Sequence, residues 1–296
     1  NINDRIKVRF MIDELKINRN IHEENMKDIK LIAIDIDGTL LNSERKLTPG
    51  VISTIKQASA VGKKVVICTG RPLAGAREYL EPLGLDEQDD QYIISFGGAL
   101  VETTTGHGLI EETLSYDDYI RIEALARKTN LHFHASSDDC VYTANRNIGK
   151  YTVHESVLCS IGIKYRTQEE MADKKIYKCM YVDDPDVLSA AMAKYQADFD
   201  QLAKEYMVVK STPFYLEVNR KGVNKGTALK ALTEKLGLTQ DNVMAIGDEA
   251  NDLSMIEYAE TGVAMGNGTD LVKKTADVVT ADNDHDGVAQ AIKNIL

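Results

Sequence analysis

Asp35 and Asp37 stand two residues apart, directly before Gly38-Thr39. Paired carboxylates in a tight turn can bind a hard divalent cation, while one attacks an electrophile and the other exchanges a proton. An isolated Asp-x-Asp-Gly fits a plain strand-ending turn equally well. It does not fit a calcium hand, because glycine falls fourth rather than sixth and the twelfth residue is Lys46 rather than a bidentate glutamate. Thr69-Gly70-Arg71 supplies a hydroxyl, backbone N–H groups and a guanidinium, all donors suited to phosphate oxygens, with a simple strand-to-helix turn as the plainer alternative. Lys225, between Asn224 and Gly226, offers a point charge to an anion or is an ordinary solvated lysine. Gly247-Asp248-Glu249-Ala250-Asn251-Asp252 again gathers acids, as cation ligands or as solvated loop residues.

Two further groups draw attention. Asp282-Asn283-Asp284-His285-Asp286-Gly287 matches the start of a calcium loop, but its twelfth position is Lys293, so it reads as an acidic turn capping a last helix over 288–295. His132 and His134 alternate along one strand and share a face. Lacking a third ligand nearby in sequence, they read as a surface or substrate-facing pair rather than a zinc site.

The elements around these groups decide whether they meet. Residues 29–34 form an apolar, β-branched run that ends at Asp35, as expected of a buried parallel strand. Thr48-Pro49 opens a helix that Gly62 ends, and a strand over 64–68 leads into Thr69. The alternation continues through a strand at 92–95. Between about 110 and 215 the rhythm changes: a helix over 116–128, strands near 131–135, 140–144 and 177–182, and one helix over 185–204. Strand-helix alternation returns from Asn224, with a helix over 226–236 and a strand over 243–246. This order predicts one parallel α/β sheet interrupted by an α+β insert, with all four polar segments on one edge of the sheet.

Composition narrows the function. The 296 residues carry 46 acidic against 35 basic side chains, a net charge of −11, which repels nucleic acid and obliges any anionic substrate to meet locally placed cations. The longest uninterrupted apolar runs are short, such as Val65–Cys68, far below the roughly 18 residues of a membrane span. Asp4, Arg5, Lys7 and Arg9 interrupt the start, so no secretory segment is expected there. Cys68, Cys140, Cys159 and Cys179 form no Cys-x-x-Cys pair, and a reducing cytoplasm is the expected compartment. No Gly-x-Gly-x-x-Gly follows the first strand, which argues against a nicotinamide enzyme.

In order, Asp35-x-Asp37-Gly38-Thr39, Thr69-Gly70-Arg71, Lys225 and Gly247-Asp248-x-x-Asn251-Asp252 resemble the haloacid dehalogenase superfamily. The large insert between the second and third motifs is similar to that of Cof-type sugar phosphatases, and Ser115–Tyr119 and Tyr142–Arg146 are similar to the YidA-type branch. The resemblance spans residues 27–296. It implies a Rossmann-like parallel-sheet haloacid dehalogenase core at 27–109 and 216–296, an inserted α+β cap domain at 110–215 that selects the substrate, and an N-terminal extension at 1–26. It also implies a magnesium-dependent phosphatase of small phosphorylated metabolites, in particular sugar phosphates, acting as a cytoplasmic monomer or homodimer with no nucleic-acid or membrane partner.

By that resemblance Asp35 is the nucleophile that becomes an aspartyl phosphate, and Asp37 is the general acid and then the base. Mg²⁺ is held by the Asp35 and Asp248 carboxylates and the Asp37 carbonyl, with Asp252 in support. The Ile36 amide, Thr69, Gly70, Lys225 and Asn251 receive the phosphoryl oxygens, with Arg71 supporting. Two other readings stay open: a phosphomutase or phosphotransferase, and a non-catalytic phospho-acceptor sensor. Asp37 speaks against the sensor, because a lasting acyl phosphate is poorly served by an acid/base two residues away. The chain departs from the family at Gly97-Gly98-Ala99, where Asn-Gly-Ala is usual, and at Gly268, where alanine is common.

Overall fold

A computed structural model describes residues 28–296, so the expected extension at 1–26 lies outside the described residues. Alternation within one strand sets the layering. In β1 (Leu31–Ile34) every side chain is buried, yet Leu31 and Ala33 enter one apolar cluster while Ile32 and Ile34 enter another. A strand buried on both sides needs helices over both faces. The chain supplies them through α1 (Pro49–Ala60), β2 (Lys64–Cys68), α2 (Leu73–Leu83) and β3 (Tyr92–Ser95), then a hairpin of β4 (Leu100–Thr103) and β5 (Gly108–Glu111). Thr48 caps α1 as its sequence predicts, its hydroxyl accepting from Val51 N–H.

A second sheet follows, built from α3 (Tyr116–Thr129), β6 (His132–Ser136), β7 (Cys140–Thr143), α4 (Lys150–Cys159), β8 (Gly162–Tyr165), β9 (Lys178–Val182), α5 (Pro185–Lys194), α6 (Gln196–Glu205), β10 (Tyr206–Thr212) and β11 (Tyr215–Arg220). The chain then returns through α7 (Lys225–Lys235), β12 (Val243–Gly247), α8 (Leu253–Tyr258), β13 (Thr261–Ala264), α9 (Asp270–Thr275), β14 (Val278–Val279) and α10 (Gly287–Lys293).

The first sheet has the order β14-β13-β12-β1-β2-β3-β4-β5, parallel from β14 to β3 and antiparallel beyond. β1 lies between β2, which follows it closely in sequence, and β12, which comes from the far end of the chain. Connections leave β1 and β12 in opposite directions, opening a crevice beyond their carboxyl ends, where ligands bind in such sheets.

The second sheet has the order β10-β11-β9-β6-β7-β8. Its outer face packs Cys179, Tyr181, Leu216 and Val218 beneath α3, α5 and α6. By alternation its other face carries Lys178, Met180 and Val182 from β9, and Tyr215 and Glu217 from β11. β5 and β11 run through the residues where the insert was expected to begin and end.

Two local expectations fail. The single helix expected over 185–204 breaks at Tyr195 (φ −112°, ψ 30°), although no breaker residue stands there. Tyr195 instead packs against the apolar cluster on the outer face of the second sheet and lies under Lys128, so tertiary contact overrides helical propensity. The acidic turn at 282–287 does put Asp286 at the N-cap position of α10, but no side chain there hydrogen-bonds the helix. Asp286 accepts from the Thr48 hydroxyl and Asp284 from Ser43 N–H, so these carboxylates bind the loop before α1.

α7 meets α8 closely: a β-carbon on Gly226 would lie 2.2 Å from the Ser254 carbonyl oxygen. Gly226→Ala should therefore lower unfolding stability by about 1–3 kcal/mol, read by urea titration. Undiminished stability would show that the two helices separate freely.

Candidate functional site

The site begins where β1 stops. Asp35 N–H donates to Ile246 O (3.1 Å), the last ladder bond to β12. The chain then turns through Ile36–Leu40, with Leu40 N–H donating to Asp35 O and Leu41 N–H to Ile36 O, both at 3.1 Å. Gly38 is required twice: its φ is +82°, and a β-carbon there would lie 2.3 Å from Asp248 Oδ2. The turn thus brings the carboxylate after β12 against the backbone after β1. Thr39 Oγ1 donates to Asp248 Oδ1 (2.8 Å) and fixes it there.

Lys225, at the start of α7, is buried between Asp35 Oδ1 and Asp252 Oδ1, each at 2.6 Å. Asp252 Oδ2 accepts from the Asp248 and Glu249 N–H groups at 3.0 and 3.1 Å, so both its oxygens are engaged. Asp35, Asp248 and Asp252 each place an oxygen within 4.8 Å of the other two. Trans ligands of an octahedral magnesium-sized cation lie about 4.2 Å apart, so the donors fit with small adjustment. Three carboxylates face one ammonium, an imbalance a divalent cation offsets. Asp35 and Asp248 each commit one oxygen to a donor and keep a second for such an ion.

Burial, reinforced by Asp252 and only partly countered by Lys225, holds the Asp35 carboxyl well above its ordinary pKa. Burial and then Asp252 push Asp248 up to about 7. Burial alone would lower Lys225, but the two carboxylates outweigh it and hold the ammonium above its usual range.

Asp37 points away from this cluster. Arg71, itself buried, grips it with Nε (3.0 Å) and Nη2 (2.5 Å), and sends Nη1 to the carbonyls of Gly75 (3.1 Å) and Leu158 (3.4 Å), the latter on α4. Arg45 lies 3.6 Å from Asp37. Thr69 is buried, its hydroxyl accepting from Arg71 N–H (3.1 Å), and Gly70 lies directly beneath the second sheet. Asp35, Asp37, Thr69, Gly70, Arg71 and Asn251 line one cavity of about 430 Å³. The Asn251 amide oxygen is buried there with no partner. The Ile36 side chain belongs to the core beneath, leaving only its backbone for the site.

Sequence reading missed the roof of this cavity. Lys178, Glu155, Glu217, Ser211, His154 and Phe214 all line it. The available sign was period two: Lys178 is the one charge of an otherwise apolar strand, and Glu217 is a charge between the apolar Leu216 and Val218. The histidine expectation is corrected. His134 is fully buried against Thr152 Oγ1 (3.1 Å), with burial pushing its pKa down to about 3, while His132 pairs with Asp183 (2.9 Å), and neither lines the cavity. Gly97 holds φ +68° with open space around it, a left-handed position that asparagine also tolerates.

Residues 32–292 match the family model of haloacid dehalogenase-like hydrolases. A Streptococcus pyogenes protein, provisionally named a phosphatase, is 47% identical over 90% of this chain and 97% of its own length. The Bacillus subtilis 5-amino-6-(5-phospho-D-ribitylamino)uracil phosphatase YcsE is 37% identical over 90% and 96%. The crystal structure of a haloacid dehalogenase-like hydrolase from Bacteroides thetaiotaomicron superposes with a TM-score of 0.78 at 32% identity, covering 90% of this chain and 100% of that one.

The raised Asp248 carboxyl has a consequence for stability. Its folded value exceeds the unfolded one, so between about pH 4 and 7 the native state keeps a proton the unfolded chain has lost, and stability from this site falls as pH rises. Above pH 7 in chelator, Asp248→Asn should therefore melt a few degrees above wild type, and excess divalent cation should reverse the order. The same order in both conditions would show that these carboxylates do not share a cation.

Proposed function

The chain belongs to the haloacid dehalogenase-like hydrolases, and from that premise we propose a magnesium-dependent phosphatase that hydrolyses small phosphorylated metabolites, in particular sugar phosphates, through an aspartyl phosphate. The observation that carries this reading is the buried Lys225 bridge between Asp35 and Asp252, with Asp248 beside it. It gathers a buried carboxylate that would serve as nucleophile, a fixed cation and an acidic pair at one strand-end crevice. The cations lining the cavity each face a carboxylate, Arg45 and Arg71 at Asp37 and Lys178 at Glu155 and Glu217, so none is left over for a second anionic group, which suits a monoester with an uncharged leaving group.

In the proposed reaction an Asp35 carboxylate oxygen attacks phosphorus and the ester P–O bond breaks. Asp37 gives its proton to the departing oxygen. In the second half Asp37 takes a proton from water, whose oxygen attacks phosphorus, and the bond to Asp35 breaks to release phosphate. Lys225, Asn251, Thr69 and the Ile36 and Gly70 amides would hold the phosphoryl oxygens. Magnesium, held by Asp35, Asp248 and the Asp37 carbonyl with Asp252 behind, would supply positive charge against the developing anion. The Arg71 fork sets the direction of Asp37, and the second sheet, as a cap between Glu111 and Arg220, would exclude bulk water and choose the leaving group. The four buried thiols suit a reducing cytoplasm.

A phosphotransferase would share the first half and hand the group to another alcohol, so isomerised product without free phosphate separates it from the hydrolase. Asp35→Asn should keep the fold and lower phosphate release from sugar phosphates by at least about a thousandfold. Chelation should silence the wild type, and magnesium alone should restore it. A variant that retains wild-type turnover removes Asp35 as nucleophile.

A further inference from the structure

The inner face of the second sheet carries a charge cluster that the proposed chemistry does not use. Lys178 is buried, its ammonium donating to Gly70 O (3.0 Å) and lying 3.4 Å from Glu217 and 3.5 Å from Glu155. Ser211 Oγ donates to Glu217 Oε1 (2.6 Å) from the neighbouring strand. A β-carbon placed on Gly70 would lie 3.9 Å from that same Glu217 oxygen. The carboxylate therefore hangs directly over the loop that would hold the phosphoryl group, with its direction fixed from two sides. Lys178 hydrogen-bonds Gly70 O and Glu217 and pairs with Glu155, which makes it the brace of this arrangement.

Two carboxylates face one ammonium on this wall, an excess of acceptors in a largely buried place. Acceptors fixed close over the phosphoryl loop attract hydroxyl or amine donors and repel a second phosphate or carboxylate. A site built to hydrogen-bond hydroxyls also penalises a leaving group that lacks them, because buried polar atoms are then left unpaired.

We infer that Glu217, braced by Lys178 and Ser211, is a specificity-determining residue that receives the hydroxyls of a neutral, hydroxyl-rich leaving group next to the phosphoryl. This inference rests on the phosphatase reading above. Beyond Glu217 the cavity is walled by Phe214, His154 and Tyr215, and at about 430 Å³ it has room past the first hydroxyls.

The test compares kcat/KM for a panel of sugar and polyol monophosphates with that for p-nitrophenyl phosphate, which carries no hydroxyl, in magnesium. In wild type the best panel member should exceed p-nitrophenyl phosphate. In Glu217→Gln the ratio of the two should fall by about 10–100-fold, mainly through KM, as expected for loss of a hydrogen bond to a charged group. Ser211→Ala, which frees Glu217 without deleting it, should lower the same ratio less and decides the matter if Glu217→Gln fails to fold. A ratio unchanged in the folded variants, or a wild type that prefers p-nitrophenyl phosphate, overturns the inference while leaving the phosphatase standing. A wild type that releases phosphate from no ester overturns the underlying reading instead.

Discussion

A buried ammonium among carboxylates is the constraint around which this protein is arranged. Lys225 is almost wholly buried and sits 2.6 Å from both Asp35 and Asp252. Such a group is expensive to desolvate and tolerable only when its partners are held rigidly. The fold holds them by bringing three distant pieces of chain together: the end of β1, the start of α7 and the loop after β12. Gly38 lets the first and third touch, and Gly226 lets the second lie close against α8. Removing the lysine would leave three carboxylates without a fixed counter-charge, so the same residue that suits the proposed chemistry also sustains the site's geometry.

The remaining imbalance is informative. One ammonium cannot neutralise Asp35, Asp248 and Asp252, and the raised Asp35 and Asp248 carboxyls record that strain. Asp252, saturated by Lys225 and two backbone amides, is best suited to orienting its neighbours. Under the proposed function Asp35 and Asp248 would use their remaining oxygens for the cation, a division of labour typical of inner and outer ligands.

Much of this was legible in the sequence because the carrying features are local. Runs such as Leu31–Ile34 and Lys64–Cys68 reveal buried strands by composition, and the polar groups directly follow them, so strand-end placement follows from chain order alone. What stayed hidden depends on tertiary contact. Lys178 and Glu217 are ordinary charges until β9 and β11 are paired and turned toward Gly70. Tyr195 breaks a helix for reasons of packing, and Asp284 and Asp286 serve a loop more than 200 residues away, where nearby helix capping was the simpler expectation. His134 looked functional by type and is a core residue by burial.

The loop Thr69–Arg71 is where the two sheets meet, and its contacts make them interdependent. From below, Arg71 clasps Asp37; from above, the Leu158 carbonyl accepts from the same guanidinium, and Lys178 donates to Gly70. Gly75 permits this approach, because a β-carbon there would lie 2.8 Å from Cys159 Cα. A movement of the second sheet away from the first would therefore break bonds to both ends of the loop at once, releasing Arg71 and Gly70 together. Under the proposed reaction the direction of Asp37 and the carbonyl of the phosphoryl loop would then change as one event, so that the chemical groups reach their working arrangement only with the roof, and the leaving group beneath it, in place.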